Sequence, residues 1–172
     1  MRPDYIAVLI TGLLLVGTVW DGKNQAATGR HVMESSPTIQ VNPIGRVTRP
    51  GDRILVEIRP ELASALDGLE GFSHVWVFYW FHENDRPEER AILKVHPRRD
   101  PANPLTGVFA TRAPVRPNLI GLTLCRIVSL KENILEVEGL DAREGSPVLD
   151  LKPYLPGSDA LPEAQVPWWI KR

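Results

Sequence analysis

At 172 residues the chain is long enough for one domain with a sizeable core, with no need of disulfides or metal. Its 20 basic and 21 acidic residues nearly cancel, so the global basic excess common in nucleic-acid-binding domains is missing and any RNA contact has to use a local patch. Cys125, the one cysteine, excludes an intrachain disulfide and a multi-cysteine zinc site, and its apolar neighbours mark it as a buried thiol.

In chain order, Ile6 to Trp20 is almost uninterrupted apolar sequence after a short start containing Arg2. It resembles a signal-peptide core or a short membrane anchor. The run of about fifteen residues is shorter than the roughly twenty of a comfortable helical span, contains Gly12, Gly17 and Thr18, and leads to a weak cleavage signal near Ala26 and Ala27. Met33 opens MESSPTIQVNPIGRV, so a start assigned too far upstream also explains the prefix. Residues 1–38 are therefore a prefix and linker that is either signal- or anchor-like, with the protein held to a membrane through residues 6–20, or the product of a misassigned start, with a cytoplasmic protein beginning at Met33.

Beyond the prefix, β-branched runs alternate with turns at Ile39 to Val47, Ile54 to Ile58, His74 to Phe81, Ala91 to Val95, Leu119 to Leu130 and Ile134 to Val137. This spacing predicts a mainly β domain over residues 39–160, an antiparallel barrel or sandwich rather than alternating βα units. Pro60 to Leu69 reads as the one clear helix, with Leu62, Leu66 and Leu69 on one face to plug a side of the sheet. Glu132 and Asn133 form a hairpin turn. The stretch 161–172, with Pro162, Pro167, Trp168 and Trp169, reads as a tail that straps onto the domain by aromatic burial.

The segment HVWVFYWFH from His74 to His82 is large and apolar at nearly every position, as in a strand buried on both faces or at a subunit contact. His82, Glu83 and Asn84 mark its passage into polar loop, where ligands are often held. The four histidines show no metal-ligand spacing, and no metal site is expected. Lys94, Arg98, Arg99, Arg112 and Arg116 are the densest basic group, either a solvated face or a phosphate-binding strip. Arg116, Pro117 and Asn118 make a stiff turn whose amide can serve a ligand or the turn itself. Neither Gly107 nor Gly145 belongs to a GxGxxG or P-loop pattern, and no serine elbow or triad is present, so the residues alone give a loop site of Arg, Asn, Asp, Lys and Tyr without a reaction.

The ordered set IGRV (Ile44 to Val47), GFSHVWVFYWFH (Gly71 to His82), GVFATRAPVRPN with IGLT (Gly107 to Thr123) and GSPVLDLKPYLP (Gly145 to Pro156) closely resembles the TsaA-like, or TrmO, family. That resemblance implies a single antiparallel β-barrel, not a Rossmann fold, that methylates N6 of threonylcarbamoyladenosine in the tRNA anticodon loop with S-adenosylmethionine. It also implies a homodimer with cofactor near the interface. Carried onto matching positions, it gives His82, Glu83, Arg112, Leu122, Gly145, Ser146, Pro147 and Val148 to the cofactor. Arg116 and Asn118, with Arg98 and Arg99 of the basic group, go to RNA, and Asp150, Lys152 and Tyr154 to catalysis. Asp150 is the expected base or orienter, with Lys152 polarising a carbonyl. Glu83 and Ser146 stand where relatives often have Gln and Thr, and the TRPGD loop is short. A divergent barrel acting on another substrate, or a non-catalytic adenosylmethionine- or RNA-binding module, remains as the alternative.

Overall fold

Eight strands and two single helical turns follow the turn punctuation of the sequence in a computed structural model that describes residues 38–170. The expectations for residues 6–20 and for Met33 lie outside the described residues. Strands β1 (Gly45–Thr48), β2 (Ile54–Ile58), β3 (His74–Trp80), β6 (Ile120–Lys131), β7 (Ile134–Glu138) and β8 (Pro147–Pro153) close into a barrel in the order β1-β2-β7-β6-β3-β8. Every pairing in it is antiparallel. Between β3 and β6 lie the turn α1 (Pro87–Arg90) and a two-stranded sheet of β4 (Lys94–Val95) and β5 (Thr106–Gly107); α2 (Pro156–Asp159) follows β8. Among the described residues no helix is long and apolar enough to cross a membrane.

A barrel this narrow is filled by its own side chains. Val47, Val56, Val75, Val77, Cys125, Leu135, Val137 and Val148 form the centre of the core, all buried. Strand β3 alternates rather than burying both faces: Val75, Val77 and Tyr79 point into the core, while His74, Trp76, Phe78 and Trp80 are half-buried on the outside. Exposed cross-strand pairs such as Arg46 with Glu57 and Arg126 with Glu138 decorate the outer surface, each contributing at most about 1 kcal/mol.

Several boundaries differ from the sequence expectation. Pro60 to Leu69 is not an α-helix but a 3-10 helix at Pro60–Leu66 followed by another at Leu69–Gly71, because Asp67 leaves helical geometry and Gly68 takes a φ of +88°. Leu66 is nonetheless buried and Leu62 and Leu69 pack on the core, so the segment does plug the barrel. Of Ile39 to Val47 only the end is strand, and of Ala91 to Val95 only Lys94 and Val95 pair. Gly145 to Tyr154, which holds the Asp, Lys and Tyr expected on a loop, instead supplies β8, whose prolines stand at its two ends and whose interior puts Val148 and Leu151 inward and Asp150 and Lys152 outward. Glu132 and Asn133 do make the tight turn, with Glu132 at a φ of 52° and Asn133 donating to the carbonyl of Ile58. At the carboxy end Trp169 is buried and Arg98 donates to the carbonyl of Ile170, 3.1 Å away.

Gly45 begins β1 where β2 crosses so closely that an added Cβ would lie 2.3 Å from the Glu57 carbonyl oxygen. That oxygen belongs to a paired strand and has no room to retreat. Gly45→Ala is expected to lower stability by about 2 kcal/mol or more, read as a fall in the urea midpoint at unchanged slope.

Candidate functional site

One end of the barrel opens into a cavity of about 900 Å³, a size that suits a nucleoside-sized ligand. Its floor is the end of β3 and the start of β6: Tyr79, Gly121 and Thr123 from the inner face, Ile120 and Leu122 from the outer. Gly121 is required there, because a Cβ would lie 2.4 Å from the Tyr79 ring. One wall is the turn after β3, with Phe81, His82, Glu83, Asn84 and Arg86; another is the 109–118 loop, with Phe109, Thr111, Arg112, Pro114, Arg116 and Asn118. Asp141, Ala142, Arg143 and Ser146, from the segment that leads into β8, complete it, and Arg99 reaches its edge.

The polar groups of this end are held in place. Ser146, buried, sits 3.2 Å from Nδ1 of His82 and fixes the imidazole across the cavity wall. The Tyr79 hydroxyl donates to Oδ1 of Asp141 at 2.7 Å, and the Thr123 hydroxyl donates to the same oxygen. Burial raises the Tyr79 phenol above its usual range, and the adjacent Asp141 carboxylate adds to the rise, so the tyrosine is a hydrogen-bond donor throughout ordinary pH. Beneath Asp141, the Arg49 guanidinium donates to the carbonyls of Leu140, at 2.7 Å, and Ala142, at 2.8 and 3.0 Å. Glu83 is paired with Arg143 at 3.6 Å, an exposed and weak contact, whereas Arg112 has no hydrogen bond or ion pair with any described residue. On the outside, Asp85 takes hydrogen bonds from Arg90 and Trp80, which hold its carboxyl below the usual range, and the Arg90 guanidinium lies 5.2 Å over the Trp80 ring.

Residues 35–160 match the family described as the tRNA-methyltransferase O N-terminal domain, TrmO_N. The chain belongs to this family. It is 43% identical over 112 residues to a probable S-adenosyl-L-methionine-binding protein of Methanocaldococcus jannaschii, covering 65% of this chain and 89% of that protein. It is 45% identical over 96 residues to the tRNA (adenine(37)-N6)-methyltransferase of Mus musculus, covering 56% of this chain and 22% of that one. A crystal structure of TrmO from P. aeruginosa superposes with a TM-score of 0.61 at 32% identity, covering 78% of this chain and 62% of the other. The chain thus spans less than two thirds of that solved TrmO.

Against the TrmO pattern the site residues divide. His82, Glu83, Arg112, Leu122 and Ser146 share the cavity, and Arg116, Asn118 and Arg99 join them. Gly145, Pro147 and Val148 do not line it: Val148 is a core side chain whose carbonyl accepts from Ile44, and Gly145 donates to the carbonyl of Val47. Arg98 turns toward the tail. Asp150 and Lys152 pair with each other at 3.0 Å on the outer face of β8, and Tyr154 packs edge-on against His74 and Trp76. In register, Asp150 is opposite Phe78 and Phe78 opposite Leu122, which puts Asp150 two strand spacings, roughly 10 Å, from the cavity floor on the same outer face. Tyr79, Thr123, Asp141 and Arg49 were not foreseen. Period-two reading of HVWVFYWFH would have exposed the first, since Tyr79 is the one polar-tipped residue in phase with Val75 and Val77.

Cys125 lies fully buried below this end, and burial, with a further push from Asp141, raises its thiol from the ordinary 9.0 to about 12. The unfolded thiol loses its proton near pH 9 while the folded one keeps it. This contribution to stability is therefore present below pH 9 and is lost as pH rises toward 12. A disulfide-exchange reagent at pH 8 is expected to label Cys125 only at the rate of unfolding, and Cys125→Ala to flatten the alkaline limb of stability.

Proposed function

We propose that this chain is an S-adenosylmethionine-dependent methyltransferase that modifies N6 of threonylcarbamoyladenosine in the tRNA anticodon loop, acting as a homodimer with cofactor near the subunit interface. The observation that carries the reading is the meeting of His82, Arg112, Leu122 and Ser146 in one cavity whose rim holds Arg99, Arg116 and Asn118. The names of the mouse and archaeal relatives support it from a separate direction.

The cavity fits such a cofactor. Ile120, Leu122 and Phe81 offer apolar surface to an adenine ring, and the guanidinium of Arg112, which has no partner among the described residues, suits a carboxylate. The bound cofactor supplies an electrophilic methyl on sulfur, so the protein's work is chiefly orientation and exclusion of water. Arg99 and Arg116 are placed to take phosphate oxygens of an unpaired loop, which concentrates basic contacts locally on a chain of balanced charge. Phe109, 80% exposed beside them, offers a ring for a splayed base.

The acceptor nitrogen is conjugated to a carbonyl and is a poor nucleophile. Asp150 takes its proton and Lys152 polarises the carbonyl, across the outer face that joins them to Leu122. That face is also the dimer surface: Trp76, Phe78 and Trp80 leave half-covered rings continuous with the cavity floor, which a second copy would bury.

Full-length protein incubated with labelled adenosylmethionine is expected to label tRNA carrying threonylcarbamoyladenosine and to leave unmodified tRNA unlabelled, on nucleoside mass analysis. Binding of cofactor with no label in either tRNA would sink the assignment in favour of another acceptor or a binding module. Asp150→Asn should lower turnover about a hundredfold with cofactor affinity unchanged; normal turnover would remove Asp150 from catalysis.

A further inference from the structure

Two acidic side chains line the cavity, and they are not equivalent. Glu83 is paired with Arg143. Among the described residues Asp141 has no cationic partner: its Oδ1 takes the hydroxyls of Tyr79 and Thr123, and its Oδ2 meets no donor. The segment that carries it is fixed from below, since Arg49 holds the carbonyls on both sides and Leu140 and Ala142 are buried. Such a carboxylate is oriented before any ligand arrives, with one oxygen satisfied by neutral donors and the other left for a charged one. In a cavity otherwise rich in arginine, an anion held this firmly has no use for phosphate. It calls for a cation.

We infer that Asp141 is the ammonium subsite of the cavity, accepting a charge-assisted hydrogen bond from the α-ammonium of the cofactor's aminoacyl end while Arg112 takes the carboxylate of the same end. A zwitterion needs both signs: among the described residues Asp141 is the cavity acid without a cationic partner, and Arg112 is a cavity arginine with no hydrogen bond or ion pair, whereas Arg99 at the edge and Arg116 are given to RNA. The assignment rests on the cavity being a cofactor site, and it makes Asp141 a specificity residue with Tyr79, Thr123 and Arg49 as its positioning residues.

Asp141→Asn tests this with little disturbance, because the amide oxygen still accepts from Tyr79 and Thr123 while the open oxygen becomes an NH₂ group. Calorimetric titration of the full chain would use three probes: adenosylmethionine, adenosylhomocysteine, which keeps the ammonium but lacks the sulfonium, and methylthioadenosine, which lacks the aminoacyl end. The expected result is a loss of about ten- to a hundredfold for the first two and none for the third. Loss for adenosylmethionine alone would mean that Asp141 faces the sulfonium, equal loss for all three that it serves the nucleoside, and no loss that it does neither; each overturns the assignment. If Asp141→Asn does not fold, Tyr79→Phe, which keeps the carboxylate and removes one of its two fixed donors, should show the same pattern at smaller size. Failure of the parent protein to bind adenosylmethionine would instead overturn the cofactor reading itself, and the subsite with it.

Discussion

The ring of Tyr79 lies against the bare Cα of Gly121, at a distance that leaves no space for a methyl group. This contact lets a large aromatic side chain fill the end of a barrel whose middle is packed with valine, and it carries the phenol to the rim. There the hydroxyl meets Asp141, on a segment that Arg49 holds from the β1–β2 loop. Three parts of the chain distant in sequence are thus tied at one point, and the cavity is built around it. A hydroxyl donor on a buried ring is rigid in a way that a loop side chain is not, which is why the open end of the barrel can present preset polar groups.

Strand β3 serves two surfaces because its alternation is strict. The inward residues Val75, Val77 and Tyr79 make core and cavity floor, while the outward His74, Trp76, Phe78 and Trp80 make a surface shared with Asp150 and Lys152 of β8. Leu122 and Ile120 on β6 belong to the outer face and also line the cavity, so the two surfaces run together around the sheet. A cofactor held inside the rim and an acceptor laid along the outer face would then be neighbours without sharing a pocket.

Much of this was legible in the sequence. The alternating runs at Ile54 to Ile58 and Ile134 to Val137, and the Glu132–Asn133 turn, carry local signals of strand and hairpin, and they fold as read. Pro60 to Leu69 misled because its leucines are spaced for a helix while Asp67 and Gly68 break it, and tertiary packing of Leu66 needs only a 3-10 turn. The strand β8 was hidden by its prolines, which are harmless at its ends but resemble loop markers in a one-dimensional reading. Motif order singled out His82, Glu83, Arg112, Leu122 and Ser146, which share one cavity, whereas Asp141 and Arg49 were silent. Arg49 reaches the carbonyls of Leu140 and Ala142 across more than ninety residues of chain, and Asp141 meets Tyr79 across 62, contacts that no local pattern encodes.

Barrel closure has a bearing on synthesis. The seam between β1 and β8 joins the first strand to the last by only two residue pairs, Gly45 with Val148 and Arg46 with Pro147, flanked by hydrogen bonds from Ile44 and Val47. Contacts this remote in sequence form after local hairpins such as β6–β7, since the loop entropy of closing most of the domain has to be overcome at one step. Ser146, which steadies His82, stands beside that seam. A nascent chain emerging from the ribosome therefore carries an incomplete cavity until its eighth strand is free, and the ability to hold a ligand arrives together with the finished fold.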